Sequence, residues 1–208
     1  MRFAILHRIG MIVAGAMLLL SAPIAAPAQA QTRSDGYKFL QHVEKRERND
    51  AIELATQPGS TVVNARGVTN GRTGLHIAVT RRDMEWVDLL IQLKANPNIA
   101  DIRGVTPLML AVQLGWAEGL ASLVRAKARV DEPNEAGETP LIYATLAKNT
   151  AMMRVLLAAG ANPDRADNSG RSARDYAQLA GGTVLGELNR TRAATATPQR
   201  PAQVYGPQ

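Results

Sequence analysis

The chain has 208 residues, carries a formal net charge of +6, and is 46% hydrophobic with only 4% aromatic residues. At about 100–200 residues per domain, that length makes one or two domains. There is no cysteine, which excludes a disulfide framework, a thiolate metal site and a cysteine nucleophile.

The N-terminus reads as an export signal. Arg2 and Arg8 precede an apolar run from Ile9 to Leu20, Pro23 and Pro27 break any helix, and Ala28-Gln29-Ala30 puts small residues where a signal peptidase reads. The apolar run falls short of the roughly 20 residues a membrane span needs. Residues 1–30 are therefore read as a signal peptide cleaved after Ala30. Lipoprotein processing would require a cysteine, and the absence of adjacent arginines argues for general secretion over the twin-arginine route. The peptide has a bacterial form, so the expectation is a periplasmic or secreted mature chain with no stable membrane insertion. Losing Arg2 and Arg8 lowers its net charge to +4, from 22 basic and 18 acidic residues.

Residues 31–36 are polar and expected to be loose. Residues 37–70 begin with a helix pair: Phe39, Leu40 and Val43 form an apolar stripe, Glu44 to Arg48 a solvated segment, and Asn49-Asp50 a cap for a second helix that turns Ile52 and Leu54 inward. This unit reads as a terminal cap.

From Gly71 onward the chain is periodic. Gly71, Gly104, Gly137 and Gly170 recur every 33 residues, in step with Ala78, Ala111, Ala144 and Ala177 and with Thr73, Thr106, Thr139 and Ser172. Asn98, Asp131 and Asp164 keep nearly the same step. A fixed period of this size marks a solenoid, whose units bury their apolar faces only by stacking on one another. The units are 71–103, 104–136 and 137–169, closed by a C-terminal cap at 170–190. Thr106-Pro107 and Thr139-Pro140 each open a short inner helix, with Thr as N-cap and Pro in the first turn. Outer helices come next, with Val87, Leu90 and Ile91 matched by Leu120, Leu123 and Val124, then by Met153, Leu156 and Leu157, on one helical face.

Gly71 to Ala78, Gly104 to Ala111 and Gly137 to Ala144 resemble the Gly-x-Thr-Pro-Leu-His-x-Ala opening of the ankyrin repeat, and Asp83 to Leu90 and Gly160 to Asp164 resemble its outer helix and following loop. Gly170 to Ala177 is similar to a degenerate final unit. The resemblance covers about 37–190 and implies an all-α ankyrin-repeat solenoid of helix-turn-helix units with hairpin-like loops: about three full repeats between two caps. Several residues depart from the pattern. His76 is the only motif histidine, Met109 and Ile142 replacing it; Gly74 stands for the proline and should loosen the first repeat; Lys94 and Lys127 replace the glycine kept at Gly160. The stretch from Asn64 to Gly71 is one residue longer than that from Asn98 to Gly104, which should distort the first hairpin.

Nothing in this pattern assembles a catalytic centre. Beyond the signal only His42 and His76 remain, and there is no phosphate loop, nucleophile elbow or metal-ligand spacing. No enzymatic activity, metal or cofactor is expected. The family resemblance implies instead that hairpin tips and inner helices line a concave surface for a partner protein. Carried over by position, that surface is Arg72, Thr80, Arg81, Ile102, Arg103, Val105, Gln113, Leu114, Glu138, Leu146, Ala147, Ser169 and Arg171, with Trp116 at a nearby turn. Ile102, Val105, Leu114 and Leu146 would form an exposed apolar strip rimmed by arginines. The expected function is a non-catalytic periplasmic protein-binding module, monomeric alone. The alternatives are a stoichiometric inhibitor or immunity-type protein against an envelope enzyme or toxin, and a secreted effector binding a host protein. Nucleic acid is not expected, because the arginines are interrupted by Glu132, Glu135 and Glu138 and no aromatics interleave them. Residues 191–208, with three prolines, are expected to be disordered.

Overall fold

The computed structural model describes residues 27–195, with the side chains of 35–190. Helices α1 (Pro27–Lys45) and α2 (Arg48–Thr56) and a 3-10 turn at Val62–Asn64 form the N-terminal cap. Four helix pairs follow: α3 (Gly74–Thr80) with α4 (Met84–Gln92), α5 (Pro107–Gln113) with α6 (Ala117–Arg125), α7 (Pro140–Leu146) with α8 (Thr150–Ala158), and α9 (Ala173–Ala180) with α10 (Gly182–Thr195). Inner helices α1, α3, α5, α7 and α9 pack in one layer and outer helices α4, α6, α8 and α10 in a second. Among the described residues the only β-pairing is an isolated bridge between Ala166 and Ser172.

The ends differ from expectation. α1 starts at Pro27, so residues 31–36 are helical where a loose segment was expected: once Phe39 and Val43 are buried, extending the helix upstream fixes one hydrogen bond per residue. α1 closes with Arg46 at φ 62° and Glu47 N–H donating to the His42 carbonyl at 2.9 Å, which leaves Glu47, not Asn49, to begin α2. α10 reaches Thr195, so residues 191–195 are helical although expected in a disordered tail; they include Arg and Ala, good helix formers. Residues 1–26 of the expected signal peptide and 196–208 of the tail lie outside the described residues.

Each repeat closes its polar groups in the same way. Thr106 Oγ1 accepts from the Met109 amide at 3.2 Å and Thr139 Oγ1 from Ile142 at 3.3 Å, both buried, while Ser172 and Asp175 form a reciprocal capping box. The core consists of equivalent positions: Leu75, Leu108 and Leu141 inside, Val87, Leu120 and Met153 outside, all at most 1% exposed. Each contributes roughly 1.5–3 kcal/mol by burial. Gly74 does not open a gap, because Phe39 from the cap and Leu90 seal the space beside it. At the C-terminal end Arg174 replaces the core leucine and pairs with Asp164, and Glu187 of α10 accepts both Arg154 Nε at 2.9 Å and Nη2 at 3.0 Å.

Lys94 and Lys127 adopt φ of 66° and 65° at the C-terminal ends of α4 and α6, where Gly160 has 91°. A side chain in that region costs about 1 kcal/mol that glycine avoids. Lys94→Gly and Lys127→Gly should each raise Tm by roughly 2–4 °C in a chain of this size, and an unchanged or lower thermal midpoint would count against the assignment.

Candidate functional site

The hairpin tips are built by side-chain acceptors. Asp101 Oδ1 accepts the amides of Arg103 and Val105 at 2.9 and 3.0 Å, Asn134 Oδ1 those of Ala136 and Glu138 at 3.0 Å each, and Asp167 Oδ1 those of Ser169 and Arg171 at 2.8 and 3.1 Å. Their recurrence every 33 residues is a sequence signal that the Asn98, Asp131 and Asp164 series overshadowed. Successive tips are bolted together through Ile102 N–H to the Asn70 carbonyl, Glu135 N–H to Arg103, and Asn168 N–H to Ala136, at 3.1–3.2 Å. One edge of the molecule is thus a continuous ladder, and the side chains above it are held in register.

Of the apolar strip expected at the surface, Ile102 and Leu146 are exposed, at 59% and 50%. Val105 is buried at 4%, because its carbonyl accepts from His76 Nε2 at 2.9 Å and its amide donates to Asp101. Leu114 is half-buried against the core, with its carbonyl accepting from Arg82 Nη2. Trp116 is buried at 7%: it occupies the N-cap position of α6, where the neighbouring outer helices have Asp83 and Asn149, and its indole lies over Gly119. Arg81 is committed as well. Its Nη1 donates to the Val43 and Glu44 carbonyls at 2.8 and 2.9 Å, capping α1, and burial lowers its pKa. Val105 and Trp116 therefore belong to the fold and leave the free surface, while Leu114 and Arg81 are half-buried and partly committed to it.

Of the remaining expected residues, Arg103, Gln113 and Glu138 converge on one tyrosine. Gln113 and Glu138 lie beside Tyr143, whose hydroxyl pKa is raised first by burial and then by the Glu138 charge, with the Arg103 charge from the preceding tip acting in the opposite direction. Glu138 also accepts from Asn134 Nδ2 at 2.8 Å. Arg171 lies over the Tyr176 ring, 6.0 Å from its centroid. Arg72 is half-buried, 3.8 Å from Asp101. Thr80, Gln113, Leu146 and Leu179 repeat at the ends of the inner helices and all are exposed. Tyr143, Tyr176 and Leu179 are absent from the expected set although the 33-residue step places them beside Gln113 and Leu146.

At the N-terminal end of this face a groove of about 380 Å³ runs between α1 and α3, floored by Tyr37, Leu40 and Ile77 and walled by Val68 of the first tip. Among the described residues, the group best placed to hold an ion is His42, Glu47 and Asp50, where His42 Nδ1 lies 2.6 Å from Glu47 Oε2 and 4.0 Å from Asp50 Oδ2. A direct His42–Glu47 hydrogen bond already accounts for that approach. Among those residues, too, no helix is long and apolar enough to cross a membrane.

Residues 39–132 match the ankyrin-repeat family in three copies and residues 136–168 match a further single repeat. This is an ankyrin-repeat protein. An ankyrin-repeat protein of fowlpox virus is 34% identical over 82 residues, which cover 39% of this chain and 24% of the viral protein. The chain thus matches about a quarter of that relative's length.

Within the ankyrin repeats the motif histidine does its work once. Thr73 N–H donates to His76 Nδ1 at 3.1 Å, so Nδ1 is unprotonated and Nε2–H donates across to Val105 in the next repeat. Burial, the largest influence, lowers the His76 pKa below its ordinary value. The unfolded chain therefore takes up a proton first, near pH 6.5. The contribution of neutral His76 is complete above that pH and is lost as pH falls through the lowered folded value. Thermal melts should show a midpoint that declines from pH 7.5 to 5, and His76→Gln should flatten that slope; an equal slope in the variant would show that other groups set it.

Proposed function

We propose that this protein is a non-catalytic binding module, exported from a bacterial cell, that holds a partner protein on the face formed by its hairpin tips and inner helices. Ankyrin repeats serve protein–protein interaction, which supports the general reading. The observation that carries it here is the run of exposed side chains Ile102, Arg103, Gln113, Leu146, Arg171 and Leu179, which the stacked helices hold in register. Ile102, Leu146 and Leu179 expose 59%, 50% and 74% of their surface, apolar area suited to a partner's side chains. Export rests on Arg2, Arg8, the run from Ile9 to Leu20 and the Ala28-Gln29-Ala30 site.

In-cell cross-linking of the tagged protein, followed by mass spectrometry, should recover a stoichiometric partner from the cell envelope or medium. Leu146→Asp should lower its capture at least tenfold, a loss of about 1.4 kcal/mol, while leaving Tm within about 2 °C. Full capture by the folded variant would remove this face from the interface. A tagged chain retained in the cytoplasm would overturn export.

A further inference from the structure

We propose that the groove between α1 and the first hairpin tip is a docking site for an acidic peptide segment of the partner that carries a bulky apolar side chain; this rests on the protein-binding reading above. The inserted residue between Asn64 and Gly71 creates the site. The three later tips close with a three-residue turn, Gly104 to Asp101, Gly137 to Asn134 and Gly170 to Asp167. In the first tip Gly71 N–H reaches the Gly67 carbonyl, one residue further back, and Gly67 N–H bonds the Arg72 carbonyl. The widened tip projects Val68 into solvent at 95% exposure, opposite Tyr37 at 59%. Hollows of about 380 and 550 Å³ flank Val68 and share Tyr37 and Leu40. An aliphatic residue so exposed beside an apolar floor gives nothing to the fold and is placed to cover a partner's side chain.

Charge selects the occupant. Arg72 and Arg103 stand 3.8 and 3.9 Å from one carboxylate, Asp101, whose side chain is only 2% exposed and whose other oxygen already accepts two amides. Arg66, on the same tip, donates to the carbonyls of Gly71 and Ala100, which fixes its place without neutralising its charge. The groove is lined by Glu44 of α1 as well as by Arg72 and Arg81, and with Arg66 and Arg103 on the tips the rim carries four guanidinium groups against Glu44 and the buried Asp101, an excess of positive charge. Glutamates or aspartates flanking an aliphatic or aromatic residue would complement it, with bidentate geometry open to the exposed Arg103. The floor offers aliphatic surface and a single tyrosine instead of the aromatic series that stacks bases, which favours polypeptide over single-stranded nucleic acid.

Selection of a random displayed-peptide library on the purified protein tests this. The enriched peptides should carry Asp or Glu on both sides of Leu, Ile or Phe, and raising the salt should weaken their binding. Val68→Asp and Arg103→Gln should each weaken binding at least tenfold without moving Tm. A basic or neutral consensus, no enrichment, affinity indifferent to both substitutions, or preferential binding of single-stranded nucleic acid would overturn the assignment. Enrichment only after removal of residues 1–26 would give the groove to the chain's own N-terminal segment and also overturn it. A cross-linked partner lost on Leu146→Asp but retained by Val68→Asp would reject this groove and leave the binding-module reading standing.

Discussion

Leu108→Ala is expected to be the most damaging single truncation, lowering stability by about 2–5 kcal/mol and Tm by roughly 10 °C. Leu108 is fully buried in α5, which packs against α3 on one side, α7 on the other and α6 behind. Its removal leaves a cavity between units that have no other way to bury their inner faces. Because each unit is held only by its neighbours, a defect at the centre should also uncouple the two halves. Denaturant unfolding should then become broader or biphasic. A sharp transition shifted by less than about 1 kcal/mol would mean that the flanking repeats collapse into the space.

The second large effect concerns a glycine. Gly137 has φ 77°, and a Cβ there would press on Asn168 Oδ1 and lie 2.6 Å from Asn168 N. Asn168 is the bolt between tips, donating from its backbone to Ala136 and from Nδ2 to the Glu135 carbonyl. Gly137→Ala should therefore cost about 2–4 kcal/mol, combining left-handed strain with loss of a tip-to-tip joint. Gly170→Ala provides the control. Gly170 has φ 79°, but a Cβ added there would meet nothing within 4 Å, so strain alone, about 1 kcal/mol, should appear. Equal midpoints for the two variants in chemical denaturation would refute the joint.

The period disclosed the fold because stacking demands the same residue type at the same place: Thr106 and Thr139 cap, Leu108 and Leu141 fill, and Lys94 and Lys127 turn left-handed as their positions require. The surface was less legible, since exposure at a tip is decided by the neighbouring unit. Val105 reads as an exposed tip residue until His76 of the preceding repeat reaches its carbonyl. Arg81 reads as a free cation until the end of α1 is seen to need a donor. Trp116 had a clue: Gly119 stands where the adjacent repeats have Trp86 and Met152, leaving space for an indole three residues away. The widened first tip was legible from its extra residue, but not that Val68 would be the side chain it expels.

Both ends of the stack are closed by burial, but the ion pairs that supplement it differ. Phe39, Leu40 and Val43 seal the N-terminal end, where Arg48 pairs with Glu85 in the open; Val184 and Leu188 seal the C-terminal end, where α10 is also fastened to α8 by Arg154 on the nearly buried Glu187, with Arg190 3.2 Å from the same carboxylate. Those arginines, with the Arg154 hydrogen bonds foremost, lower the Glu187 pKa, so the fastening is complete near neutrality and loosens as acid protonates the carboxylate. Salt screens it, as it does the more exposed Arg48–Glu85 pair at the opposite end. The solenoid therefore has an acid-sensitive end: as pH falls its last helix should loosen from α8 first, presenting the C-terminal side of the last full repeat to water while the groove at the other end stays assembled.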